Sequence, residues 1–273
     1  PPRSTLFPYT TLFRSVRQLL LHLQNKKMDE IKRRDIESYK EKRKEHVSAA
    51  SINRDLACLK KLFNNAIADE VVDINPVTKI DFMREPVRSP NFLSEEGAAK
   101  LIKACDNTAL KTFVIIGLNT GMRLNEILSL KWEQINLVDK VVNLRDTKNG
   151  REDSIPLTED VIQHLQTITQ TSEYVVTKED GGRYVNFMKQ WKRLVQNANV
   201  GKITPHVLRH TWATALVRAG VDLMTIMELG RWSDLKLVKR YAHIDAKHRT
   251  REIKKLEGKF GTDTKSSSIN SAQ

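Results

Sequence analysis

Residues 204–244 constrain the fold more than any other part of the chain, because the residues at which helices begin and end are easy to identify there. Thr204 is a good N-cap and Pro205 is a good first helical residue. Gly220 stands where a left-handed C-terminal cap belongs. The sequence therefore predicts a helix over residues 205–219 with both ends defined locally.

Residues that can handle a phosphate group lie on this helix and on the two that follow. His206 and Arg209 lie one turn apart near its start, where free backbone N–H groups and the helix dipole favour an anion. A second helix is predicted over residues 222–229, and a third after Ser233 as its N-cap. Tyr241 falls near the end of the third; a tyrosine, with a free pKa of about 10, attacks poorly unless cations stabilise its phenolate. Each residue alone is more typical of a solvated face or of packing, so the interpretation as an active site depends on their conjunction.

The charge of the chain indicates a polyanionic partner. Lys and Arg number 46 against 33 acidic residues, a formal net charge of +13, although a merely soluble basic protein is the alternative.

Cys58 and Cys105 have no metal-ligand spacing and predict neither a disulfide framework nor a zinc site. The sequence contains no phosphate-loop, dinucleotide-binding or zinc-protease motif and no apolar run near the ~20 residues that span a bilayer. We therefore expect no metal, no cofactor, no membrane association and a cytoplasmic location.

The front of the chain predicts a small helical unit. Residues 1–15 are set aside, since TLFPYTTLFRS is the translation of a common sequencing-adapter oligonucleotide and is expected to replace the natural N-terminus. Residues 16–81 show helical periodicity and many cations, which predict a DNA clamp or, alternatively, solvated helix faces. Residues 82–92 contain two prolines and predict an interdomain linker. The candidate DNA-binding side chains are Arg43, Arg54, Lys60 and Lys61.

A second domain is predicted over residues 93–258. Arg123 and Glu126 lie three positions apart, so the carboxylate can orient the guanidinium, and a surface ion pair is the alternative. Residues 259–273 are polar and Ser-rich and are expected to be disordered.

A β-hairpin is predicted inside this mainly helical domain. Residues 140–145 and 153–157 favour two short strands, and Asn149-Gly150 between them favours a tight turn. Lys148 lies at the tip of this hairpin, where a lysine is normally solvent-exposed.

Five motifs together resemble the tyrosine recombinases of the phage-integrase family, in order and in spacing. They are Arg123 in TGMRLNEI, Lys148 in a hairpin, HxxR at His206 and Arg209, Trp232 in LGRW, and Tyr241 in KRYAHI. The resemblance covers residues 16–255. It implies a mainly α fold with a small β-sheet, in which a helical SAM-like core-binding domain precedes a mixed α+β catalytic domain.

The resemblance also implies how the DNA strand is cut. Tyr241 is the nucleophile, which forms a 3′-phosphotyrosyl link and releases a 5′-hydroxyl. Arg123 and Arg209 bind the non-bridging phosphate oxygens, and Glu126 supports the first of them. Because two arginines can stabilise the charge of the transition state and the phosphotyrosyl link keeps the energy of the phosphodiester, neither a metal nor ATP is required.

Three further residues receive roles in the same way. Lys148 protonates the leaving 5′-oxygen, and His206 assists proton transfer with the tyrosine. Trp232 packs against the phosphate and donates a hydrogen bond to it. It stands nine positions before Tyr241, where many members have histidine, and its indole N–H can donate in the same place.

The function that the resemblance implies is that of a site-specific recombinase or integrase of a prokaryotic or phage mobile element. It implies double-stranded DNA as the partner, a homotetramer on paired recombination sites, directionality or DNA-bending factors, and a nucleoid-associated location. Two alternatives stay open. One is a non-cleaving DNA-binding regulator on the same fold, and the other is a dimer-resolving recombinase or a type IB-like topoisomerase.

Overall fold

A computed structural model describes residues 9–24, 26–86, 90–144, 153–184, 187–241 and residue 254 of the chain. The chain divides into two compact units, residues 1–87 and residues 88–273. No helix within the described residues is long and apolar enough to cross a bilayer.

The first unit is helical. Its three α-helices are α1 (Tyr9–Leu23), α2 (Arg33–Lys44) and α3 (Ala49–Ala68), and short 3-10 helices occupy Met28–Glu30 and Pro76–Lys79. The core is formed by apolar side chains from all three α-helices, among them Leu19, Ile36, Ile52, Leu56 and Phe63. Inside this core the Tyr39 hydroxyl donates a 2.7 Å hydrogen bond to Asp55. α1 begins at Tyr9, so part of this helix lies among the residues that the sequence analysis sets aside.

The second unit contains eight α-helices among its described residues. They are α4 (Glu95–Lys103), α5 (Thr108–Thr120), α6 (Leu124–Leu128), α7 (Glu159–Gln166), α8 (Met188–Ala198), α9 (His206–Arg218), α10 (Leu223–Leu229) and α11 (Leu235–Lys239). α5 is buried and packs against α9. The two helices approach closely at Gly117, where an added Cβ would lie 2.8 Å from the Leu208 side chain and would force it to shift.

A small antiparallel sheet accompanies these helices. Its strands are β1 (Ile135–Asn136), β2 (Val141–Leu144) and β3 (Asp153–Pro156), in the order β1-β2-β3. Leu144 pairs with Asp153, so β2 and β3 run antiparallel on either side of residues 145–152. The two strands predicted from the sequence are present, and β1 is an additional one. The predicted fold class, mainly helical with a small sheet, is confirmed.

Two predicted helix starts are wrong by one residue. α9 begins at His206 with Pro205 rather than Thr204 at the N-cap, and no side chain caps it. α11 begins after Asp234 rather than Ser233, because the Asp234 carboxylate accepts the N–H of Lys236. At the other end of α9, the expected left-handed glycine is found, since Gly220 has a φ of +85°.

Candidate active site

Arg123 and Glu126 form the exposed edge of the candidate site. Arg123 is the N-cap of α6, and Glu126 occupies the third helical position. The carboxylate accepts the backbone N–H of Arg123 at 2.7 Å and its Nη1 at 2.8 Å. Burial would raise the pKa of Glu126, but the hydrogen bonds from Arg123 and the charge of Arg231 outweigh it and lower that pKa. The carboxylate is therefore ionised and fixes the guanidinium of Arg123.

Arg209 lies in the interior of the site. Only 5% of the residue is exposed, although its helix places the exposed His206 one turn away. Its Nη1 donates to the backbone carbonyl of Gly121, and its Nη2 donates to that of Gly230. Burial, followed by the charge of Arg123, lowers the pKa of Arg209 to about 10, so it remains a cation at neutral pH. Three of its five N–H donors are not used by these carbonyls and can serve a phosphate.

The helix ends that hold Arg209 follow from the sequence. Gly121 ends α5 with a φ of +62°, which glycine adopts without strain. Gly230 ends α10, and its carbonyl faces inward because the chain turns at that point. Both carbonyls lie at C-terminal helix ends, where the helix dipole favours a cation.

Trp232 joins this arginine to the predicted nucleophile. The Arg209 guanidinium lies 4.0 Å from the centre of the Trp232 ring, a cation–π contact. The Trp232 ring in turn lies 6.1 Å from that of Tyr241. An arginine, a tryptophan and a tyrosine that are distant in sequence are therefore in one contiguous cluster.

Tyr241 is buried and hydrogen-bonded. It is 1% exposed, and its hydroxyl lies 2.5 Å from Nδ1 of His210. Burial raises the pKa of Tyr241 above its ordinary value of 10, although the charges of Arg240 and Arg209 oppose this. Burial, followed by the charges of His206 and Arg240, lowers the pKa of His210 to about 4. The pair is therefore neutral at pH 7 and is joined by one hydrogen bond between the phenol oxygen and Nδ1.

His206 does not contact the tyrosine in this arrangement. Its ring is exposed and lies 6.4 Å from that of His210. Burial of part of the ring and the charges of Arg209 and Arg123 lower its pKa, so it is a neutral imidazole at pH 7. A neutral imidazole can accept a proton from a phenol.

Lys148 lies outside the described residues, and its position stays a prediction. The strands that flank it are β2 and β3, and β3 begins at Asp153. Asp153 lies 3.7 Å from Nε of Arg231, so the start of this strand reaches the cluster around Glu126.

Two residues at the site were not identified from the sequence. His210 follows Arg209 directly and lies four positions from His206 on the same helix face, which is a signal for its placement. Arg231 lies in a turn between Gly230 and Trp232, and no sequence pattern indicates its contacts. In the structure its Nη2 binds Glu126 at 2.5 Å.

The candidate DNA-binding residues of the first unit differ in their availability. Arg54 and Lys61 are exposed, and Lys60 is half-buried. Arg43 is also half-buried and lies 3.5 Å from the buried Asp55, so its guanidinium is engaged within the unit. The part of the chain that is described contains no cluster of three His, Cys, Asp or Glu residues that could bind a metal ion.

Two family models match this chain, and proteins of known family are similar to it. The model of the phage integrase family matches residues 91–248, and that of the phage integrase N-terminal SAM-like domain matches residues 3–70. The integrase of Salmonella phage P22 is 28% identical over 209 residues, 71% of this chain and 53% of that protein, so the match spans about half of its length. Tyrosine recombinase XerD of Staphylococcus aureus is 27% identical over 231 residues, 78% of this chain and 77% of that protein.

Solved structures share the fold. The Tn1549 transposon integrase in complex with transposon right end DNA has a TM-score of 0.73 and 20% identity, covering 92% of this chain and 95% of that one. The lambda integrase tetramer bound to a Holliday junction has a TM-score of 0.67 and 16% identity, covering 84% and 73%.

Proposed function

The chain belongs to the phage integrase family, and on that premise we propose that it is a site-specific DNA recombinase that cuts and rejoins duplex DNA through Tyr241. The observation that carries this proposal is the cluster of Arg209, Trp232 and Tyr241, in which a buried cation and the phenol both contact one indole ring. The relatives that match over most of this chain are an integrase and a tyrosine recombinase.

The proposed reaction exchanges one phosphodiester for another. The Tyr241 oxygen attacks phosphorus, the bond from phosphorus to the 5′-oxygen breaks, and a 3′-phosphotyrosyl link remains. The phenolic proton passes to a neutral imidazole, for which His206 is the proposed acceptor, and Lys148 supplies a proton to the leaving oxygen. Attack by a 5′-hydroxyl reverses these steps and joins the strands without ATP.

The arginines stabilise the charge that develops on the phosphate. Arg123 is exposed and held by Glu126, so it can approach the DNA from the surface of the unit. Arg209 is fixed from inside by two carbonyls. Because it is buried, like Tyr241, its remaining donors meet the phosphate only after the movement that exposes the tyrosine, and the two carbonyls then hold the guanidinium in place. Preorganised donors of this kind typically contribute roughly 3–4 kcal/mol to barrier lowering.

Cleavage requires Tyr241 to move. A side chain that is 1% exposed cannot reach a phosphate, and its hydroxyl is occupied by His210. The proposed enzyme therefore has to break this hydrogen bond and move Tyr241 out of its buried position before it attacks.

A covalent trapping experiment tests the proposal. DNA recovered through its binding to the Tyr241→Phe protein supplies the target sequence, and a nick placed beside the cleavage point lets the 5′ fragment leave. In EDTA, we expect the wild-type protein to form a protein–DNA adduct and the Tyr241→Phe protein to bind without forming one. An adduct that survives this substitution, or salt-sensitive binding by the wild-type protein without any adduct, would refute cleavage through Tyr241.

The assembly is proposed to be a homotetramer on two paired DNA sites. The lambda integrase whose fold this chain shares is a tetramer on a Holliday junction, and a net charge of +13 suits a chain that binds DNA. Directionality or DNA-bending factors and a location at the nucleoid in the cytoplasm belong to the same proposal. Sedimentation of the protein with and without paired sites measures the stoichiometry.

A further inference from the structure

Arg231, in the turn before Trp232, contacts two parts of the second unit that are far from it in sequence. Its Nη2 donates to Glu126 at 2.5 Å, and its Nε lies 3.7 Å from a carboxylate oxygen of Asp153. Its backbone carbonyl accepts a 3.0 Å hydrogen bond from Nη2 of Arg123. One residue therefore joins the start of α6, the start of β3 and the turn that precedes Trp232.

This arrangement is costly for the fold. The Arg231 side chain is 12% exposed, and its Nε and Nη1 have no hydrogen-bond acceptor among the residues that the structure describes. Its φ is +54°, a conformation that side chains with a Cβ rarely adopt. A buried cation with unused donors on a strained backbone is a poor way to stabilise a turn, and strain of this kind concentrates at functional sites.

We propose that Arg231 is a positioning residue for DNA cleavage, which fixes the Arg123–Glu126 pair relative to β3. Glu126 gives one oxygen to the Arg123 side chain and the other to Arg231, so its carboxylate cannot rotate. Asp153, the first residue of β3, lies 3.7 Å from Nε of Arg231 and holds the guanidinium from a second side. This inference rests on the proposed recombinase function.

The first test separates positioning from DNA binding. The substitution Arg231→Gly removes the guanidinium and suits a φ of +54°. A displacement of about 1 Å at a reacting group can cost about 100-fold, so we expect single-turnover cleavage of the nicked DNA to fall by about that factor. DNA affinity should stay within about threefold, because Arg231 is buried and phosphate contacts dominate affinity. The cleavage rate of Arg231→Lys should lie between those of the wild-type and Arg231→Gly proteins, since an ammonium keeps the charge without the forked geometry.

A matched control comes from Lys140. It is also a cation with a positive φ, +56°, and it pairs with the exposed Glu159. Lys140→Gly removes a charge and relaxes the backbone in the same way without altering the Glu126 cluster, so its cleavage rate should match that of the wild-type protein. Cleavage by Arg231→Gly at the control rate, or a loss of DNA affinity that accounts for the whole defect, would overturn the inference.

A variant that breaks one contact keeps the test valid if Arg231→Gly does not fold. Asp153→Asn removes the charge on β3 and leaves Arg231 and Glu126 in place. Because the guanidinium then keeps only one of its two carboxylate partners, single-turnover cleavage should fall by about tenfold while DNA affinity stays within about threefold. The wild-type protein is assayed in parallel. Absence of a wild-type adduct refutes the proposed function, whereas a normal wild-type adduct with fully active Arg231 and Asp153 variants refutes this inference alone.

Discussion

The hydrogen bond between His210 and Tyr241 predicts how the second unit responds to acid. The pKa of His210 falls from 6.5 to about 4 on folding, mainly because the ring is buried. The ring is therefore protonated below pH 6.5 in the unfolded chain but only below about pH 4 in the folded chain. The resulting stability is fully present above pH 6.5 and is lost as the pH falls through this window.

The magnitude follows from these two values. Between pH 7.5 and pH 5, protonation of this ring in the unfolded chain lowers the free energy of unfolding by about 2 kcal/mol. The ring is only partly buried, and solvent screening reduces this figure, so we expect a loss of about 1–2 kcal/mol from His210. Tyr241 makes no contribution of its own, because its pKa is raised above 10 and it stays neutral in this range.

The substitution His210→Gln isolates this contribution. Glutamine keeps an acceptor for the phenol but does not titrate, so the variant should lose about 1–2 kcal/mol less stability than the wild-type protein between pH 7.5 and pH 5. Urea unfolding followed by tryptophan fluorescence is the assay, since all four tryptophans lie in the second unit, at positions 132, 191, 212 and 232. His46→Gln, at an exposed position of the first unit, is the control. Equal losses for the wild-type and His210→Gln proteins would show that His210 is not held neutral by burial.

Three other substitutions test the packing around the site and in the first unit. Gly121→Ala should lower the stability of the second unit by about 1–3 kcal/mol, measured by thermal unfolding, because its Cβ would overlap Trp212 at a positive φ. Arg209→Lys should lower the free energy of unfolding in urea by about 1–3 kcal/mol, since one ammonium cannot replace the forked guanidinium that binds two buried carbonyls. It should also slow cleavage by about 100-fold or more. Tyr39→Phe should lower the free energy of unfolding of the first unit by about 1–2 kcal/mol, followed by circular dichroism, because Asp55 loses a buried donor. It should leave the cleavage rate of the folded protein unchanged.

Local features of the fold were predictable because their causes lie within a few residues. The left-handed residue after α9 is Gly220, and β2 and β3 lie within the two segments that the sequence predicts as strands. The family resemblance and the mainly helical fold class are confirmed. The domain boundaries and the roles of the individual site residues stay predictions.

The buried part of the site could not be predicted because its contacts are long-range. The helical pattern places Arg209 beside an apolar stripe, but the carbonyls that bind it lie 88 and 21 positions away. The partner of His210 lies 31 positions away. Backbone acceptors carry no residue-type signal, so the chain must be folded before such contacts become visible.

The burial of Arg209 affects what can be learned from other chains of this type. Its side chain joins two helix ends, so under the proposed function a related chain that no longer cuts DNA would still require an arginine there to stay folded. Arg123 is exposed, so its loss would destabilise the fold less. A survey that seeks degenerate copies should therefore score the exposed arginine and disregard the buried one.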